Sequence, residues 1–155
     1  MTKKVRDIID NIRSYHLIIA DRYEELITSS EQSKKVQHIL NYLSECERAH
    51  AKLLEKQVYN SSLDHVLNTW IKEYPEEPSK HLKYEVEKQL PFIKHDDESL
   101  LTAYRDQHHK VDSIYQQLTE IMSCESSKDY FTSLHLMEKQ ALQNRIGKII
   151  AYEFI

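Results

Sequence analysis

Glycine occurs once in this 155-residue sequence, at Gly147, and proline three times, at Pro75, Pro78 and Pro91. So little of either argues against a turn-rich sheet fold and almost excludes a loop that wraps phosphate groups. Apolar runs are only a few residues long, so no membrane span is expected. Lysine and arginine number 21 against 25 aspartates and glutamates, with both signs interleaved along the chain. Lacking a basic block or stripe, the chain is not expected to bind nucleic acid. The N-terminal MTKKVRDII lacks the apolar core and cleavage site of a signal peptide. Two cysteines, Cys46 and Cys124, show no metal-type spacing. They read as reduced thiols, and the expected compartment is the cytoplasm. Nucleophile elbows and Cys-x-x-Cys pairs are missing as well.

What is plentiful is Leu, Ile, Glu, Lys and Gln, which favour helix. A first helix is predicted from about residue 3 to 29, where Ile8, Ile12, His16, Ile19, Tyr23 and Leu26 share one face. Ser29 with Gln32 resembles a capping box and opens a second helix. Its seam is Val36, Leu40, Leu43, Glu47, His50 and Leu54. A connection this short makes the two helices antiparallel neighbours. The pattern then breaks over about 59–95, where the prolines fall and LDHVLNTWI offers a short helix. Trp70 is expected to pack over the helices from there. Asp96 caps a third helix, with seam Leu101, Tyr104, His108, Val111, Tyr115, Leu118 and Met122. Ser126, three residues before Asp129, marks a fourth. Its seam is Phe131, Leu134, Glu138, Ala141, Arg145 and Tyr152. The expected fold is all-α: one domain spanning 1–155, an antiparallel four-helix bundle with a long crossover between helices 2 and 3.

Polar residues on these seams carry the functional question. In LSECERAH, Glu47 and His50 fall on the face that should be buried, and burying an unpaired charge costs several kcal/mol. Sliding the chain on itself by 92 residues puts His16 on His108 and Tyr23 on Tyr115. A shift of 91 carries Glu47 to Glu138, while His50 lands on Ala141. We read this as an internal two-fold repeat. His16, Glu47, His50, His108 and Glu138 are therefore expected to converge near the middle of the helices. His38, His65, His81, His95, His109 and His135 follow no ligand spacing and are expected on the surface or in packing.

On these residues the sequence resembles the ferritin-like superfamily, nearest in style to the rubrerythrin and ferritin-like four-helix proteins. The resemblance implies a glutamate on the first helix of each half and Glu-x-x-His on the second. Here that motif stands intact as Glu47-Arg48-Ala49-His50 and degraded as Glu138-Lys139-Gln140-Ala141, while His16 and His108 replace the first-helix glutamates. It also implies a metal centre and the handling of oxygen, peroxide or metal. The five convergent residues are then the ligands of a mononuclear or degenerate non-haem site, holding one divalent ion such as Fe, Mn or Zn. Tyr23 and Tyr115 read as core aromatics.

A competing reading is a metal-free bundle serving as a structural or protein-interaction module, in which Arg145 pairs with Glu138 or turns outward to solvent. The apolar C-terminus, residues 149–155, suggests a two-fold homodimer. Only two carboxylates stand in the candidate set, and they neutralise one divalent ion. Elemental analysis of the purified protein should therefore give no more than about one tightly held divalent ion per chain. Two would contradict the charge accounting.

Overall fold

The structure is a computed structural model that describes residues 3–29, 32–72 and 97–151. Expectations for Asp96, the three prolines, His81, His95 and Tyr152 fall outside the described residues. Among the described residues the protein is overwhelmingly helical. Helix α1 spans Val5–Ser29, α2 Lys34–Val58, α3 Asp64–Leu67, α4 Asp97–Ile121 and α5 Glu125–Ala151. A short 3-10 turn, Ser61–Leu63, precedes α3. Two-residue strands β1, Lys3–Lys4, and β2, Trp70–Ile71, pair antiparallel, with Lys3 opposite Ile71. None of the described helices is long and apolar enough to cross a membrane.

Local chemistry explains where these elements start and stop. The first helix begins at Val5 because Lys3 and Lys4 are taken into the strand pairing and the Val5 N–H donates to the Thr69 carbonyl at 3.0 Å. The cap of α2 is Ser33 rather than Ser29: its hydroxyl accepts from the Val36 N–H at 3.2 Å. That places one orphan donor of the first turn on a side-chain oxygen. At the other end Tyr59 closes the helix, and Asn60 caps the turn that follows by accepting from Ser62. The last long helix starts at Glu125, one residue before Ser126, with Lys128 N–H donating to the Cys124 carbonyl at 3.0 Å.

Helix α1 packs along α2, and α4 along α5. Each pair buries most of its predicted seam, with Leu26 of α1 and Leu101 of α4 half-buried. Ile8, Ile12, Ile19 and Tyr23 of α1 meet Val36, Leu40, Leu43 and Leu54 of α2 in one core that also takes in Tyr104, Val111, Tyr115, Leu118, Phe131 and Leu134. The seam of α5 departs from expectation after Glu138. Leu142, Ile146 and Ile149 are buried, while Ala141 and Arg145 are half-buried. Steps of four residues advance the buried face around the helix by about 40° each time, which swings Ala141 toward its edge.

Trp70 does not cover the helices. It is 59% exposed, with the Lys4 ammonium 5.0 Å from its ring centroid, and Val66, Leu67 and Ile71 make the apolar contact instead. Strand alternation decides this, since pairing with β1 turns Ile71 inward and its neighbour outward. Replacing Ser33→Ala should remove the α2 cap and lower stability by about 1 kcal/mol, read from urea unfolding midpoints.

Candidate metal centre

All five seam residues singled out above meet in the interior, each at most 4% exposed. His16 comes from α1, Glu47 and His50 from α2, His108 from α4 and Glu138 from α5. Four of them close a ring. His16 Nδ1 lies 2.5 Å from Glu47 Oε2, and His108 Nδ1 lies 3.2 Å from Glu138 Oε2. Crossing between the halves, His16 Nε2 lies 3.0 Å from Glu138 Oε1 and His108 Nε2 lies 2.5 Å from Glu47 Oε1. Each imidazole thus reaches its own half's carboxylate through Nδ1 and the other half's through Nε2. The sequence repeat is carried down to single atoms.

Ring chemistry follows from the donor inventory. An ionised carboxylate only accepts, so four contacts to carboxylate oxygens call for four N–H donors, and both histidines must be imidazolium. Burial opposes a charged His16, but Glu47 and Glu138 outweigh it and raise its pKa from 6.5 to about 10. His108 is likewise raised by the two glutamates against the cost of burial. Burial would raise both carboxyl pKa values, yet His108 and His16 at Glu47, and His16 and His108 at Glu138, hold them well below the usual carboxylate range. Two cations and two anions leave the ring itself neutral.

His50 stands apart. Its Nε2 lies 2.9 Å from Glu138 Oε1 but out of line for a hydrogen bond, and this fully buried atom has no other partner among the described residues. Burial and the neighbouring His16 charge lower its pKa, so the ring is neutral imidazole. Its centroid is 4.4 Å from that of His16. A neutral, unpartnered imidazole nitrogen pointing at a carboxylate is a ligand-type donor.

Arg145 takes the opposite corner. The position related to His50 by the repeat is Ala141, and one helical turn on, the Arg145 guanidinium comes within 3.5 Å of Glu47 Oε1. It donates to the Tyr104 hydroxyl at 2.9 Å and to the Cys46 carbonyl at 3.3 Å. The expected partner was Glu138; the crossing of the two halves brings Glu47 there instead. Its side chain is 11% exposed, so it does not turn out to solvent.

Further residues surround the ring without having been singled out from sequence. Tyr104, buried and one turn before His108, sits with its ring centroid 4.3 Å from that imidazole. Gln107 accepts from the Tyr23 hydroxyl at 2.6 Å through its side chain and from Tyr15 at 3.2 Å through its carbonyl. The i, i+4 spacing of Tyr104 and His108 was the available signal for the first. Tyr23 and Tyr115 are core aromatics, each fully buried. His109, His38 and His65 are exposed, and His135 Nδ1 is in hydrogen-bond contact with Asp112.

Ligand atoms of His16, Glu47 and His108, and separately of His16, His50 and Glu138, lie within 4.8 Å of one another. Both triads are buried, and both need His16. The donor set of imidazole nitrogens and carboxylate oxygens fits Zn, Fe or Mn. Comparison with protein families, curated proteins and solved structures finds no match.

For the metal-free protein the ring sets a pH profile of stability. Folding raises the His16 pKa, so its contribution is fully present below pH 6.5 and is lost as pH rises toward about 10. Folding lowers the glutamate pKa values, so theirs is present above pH 4.5 and is lost on acidification. Urea midpoints should therefore be highest between pH 4.5 and 6.5 and fall on both sides. A flat alkaline limb up to about pH 10 would contradict a doubly protonated His16.

Proposed function

We propose that this chain is a ferritin-like metal-binding protein, an antiparallel four-helix bundle with one mononuclear non-haem site built from His16, Glu47, His50, His108 and Glu138. The observation that carries this reading is the buried His50 Nε2, 2.9 Å from Glu138 Oε1 but in no aligned hydrogen bond, beside two triads of ligand atoms that meet at His16. An orphaned polar atom in a core costs roughly 1–3 kcal/mol, and a metal ion is the partner that suits a neutral imidazole beside a carboxylate. Charge supports the same conclusion. Metal ligation requires neutral imidazoles, so one divalent ion displaces the two ring protons and leaves the total charge of the site unchanged. A second ion would add two positive charges beside Arg145 with nothing to balance them. The shared His16 points the same way.

A bound Fe or Mn would supply electron exchange with oxygen or peroxide, and this is the activity we assign to the loaded protein. The protein's own part is to hold the ligands in a dry interior, with Tyr104 and Arg145 fixing Glu47. We also propose a two-fold homodimer, as the apolar C-terminus suggests, to be checked by light scattering at micromolar concentration. A full-length chain that stays monomeric would remove that proposal.

One observation favours the second reading, a metal-free interaction module. The four ring contacts are all satisfied by protein atoms, and Ala141 stands where the second Glu-x-x-His histidine would be, with the Arg145 guanidinium one turn on. Metal titration separates the two. Chelator-treated protein should take up about one Mn or Zn per chain, and His50→Ala should weaken uptake by about tenfold or more while leaving the ring contacts in place. Failure of the wild-type chain to take up either ion would establish the metal-free reading.

A further inference from the structure

The two halves repeat around the ring but differ on their outer flanks. In the first half, α1 and α2 are clasped above the site. Arg48 donates to Asp21 at 2.7 Å and to both oxygens of Glu24 at 2.9 and 2.8 Å, and Ser44 donates to Glu24 at 2.7 Å. The repeat places Lys139 at the position of Arg48, but Ser113 and Gln116 at those of Asp21 and Glu24. The second half keeps the cation and loses both acids that would hold it.

A cavity of about 580 Å³ lies there, in the cleft between α4 and α5. Its lining extends to His108 and Glu138, both almost fully buried, so its inner end borders the ring. Arg105 and Lys139 stand at its exposed rim, and neither has an ion-pair partner among the described residues. The acid of this wall outside the ring, Asp112, is in contact with His135 Nδ1 rather than with Arg105 or Lys139. Leu142 and Ile146 make an apolar flank, and between them and the end of α5 comes Gly147. This is the chain's single glycine, placed inside a helix where it costs roughly 1 kcal/mol relative to alanine. Among the described residues a Cβ added there would meet no atom within 4 Å. It keeps the cleft wide.

We propose that the α4–α5 cleft is a binding site for a small organic carboxylate with an apolar body, seated over the His108–Glu138 side of the ring. Arg105 and Lys139 hold the carboxylate, and the apolar body lies along Leu142 and Ile146 in the space left by Gly147. The volume lies within the range of ordinary small-molecule pockets. Positive charge without acidic partners selects an anion, and the apolar flank selects against a bare inorganic one. Chemistry at the bound molecule rests on the metal reading above; binding itself does not.

Calorimetric titration with octanoate tests this, with octanol and inorganic phosphate as probes lacking the charge and the tail. Octanoate should bind at one site per chain, at least tenfold more tightly than either. Lys139→Gln should weaken octanoate by about tenfold. Gly147→Leu, which adds helix propensity and has room to fold, should abolish saturable binding while metal uptake per chain stays at the wild-type value. Arg48→Gln in the other half should leave octanoate affinity unchanged. Octanol or phosphate binding as tightly as octanoate would overturn the proposal, as would Gly147→Leu binding octanoate normally. Light scattering that shows Gly147→Leu breaking a dimer, with no octanoate bound by the wild type, would overturn it in favour of a second copy. Octanoate bound by a chain that takes up no metal would sustain this site and remove the metal reading.

Discussion

Four side chains from four different helices, His16, Glu47, His108 and Glu138, share a closed ring of charge-assisted contacts in the buried interior. Neither charge sign is tolerable there alone, since an unpaired buried ion costs several kcal/mol even after relaxation. The ring therefore ties the position of each long helix to the other three. Its neutral balance also explains why a carboxylate and an imidazole can occupy seams that are otherwise Ile, Leu and Tyr. Such a network is a weak source of net stability but a strong source of registry, because each helix has one sliding position that satisfies it.

Departures from two-fold symmetry all fall outside the ring. One corner holds His50, whose Nε2 lies beside Glu138 without an aligned hydrogen bond; the corner related to it holds Ala141 and, a turn later, the Arg145 guanidinium. One flank is sealed by Arg48 with Asp21 and Glu24; the related flank holds Lys139 beside an open cleft. These differences act together. The half that has Ala141 in place of a histidine is the half whose cleft borders Glu138 and His108.

Much of this was legible in the sequence wherever helical periodicity and chemistry agreed. Ile8 to Tyr23 and Val36 to Leu54 declared their faces, and the His16–His108 and Glu47–Glu138 matches declared the convergence, because repeated offsets on helices fix repeated positions. Legibility ended where geometry between elements decides. Ser29 and Ser33 are both cap residues followed by polar ones, and only backbone placement chooses the second. Trp70 reads as a core residue by size, yet strand pairing with Lys4 turns it outward. Arg145 shares a helix with Glu138, but the halves cross and its partner is Glu47. The cleft depends on the distance between α4 and α5, which no single-helix pattern contains. Its trace in the sequence was the loss of two acids, at Ser113 and Gln116, from one copy of the repeat.

X-ray absorption at the zinc edge of the zinc-loaded protein tests the central claim most directly. The ring account predicts a four- or five-coordinate shell of nitrogen and oxygen near about 2.0–2.1 Å, with the multiple-scattering pattern of two or three imidazoles. A shell containing sulfur, or one of oxygen alone without imidazole scattering, would contradict it.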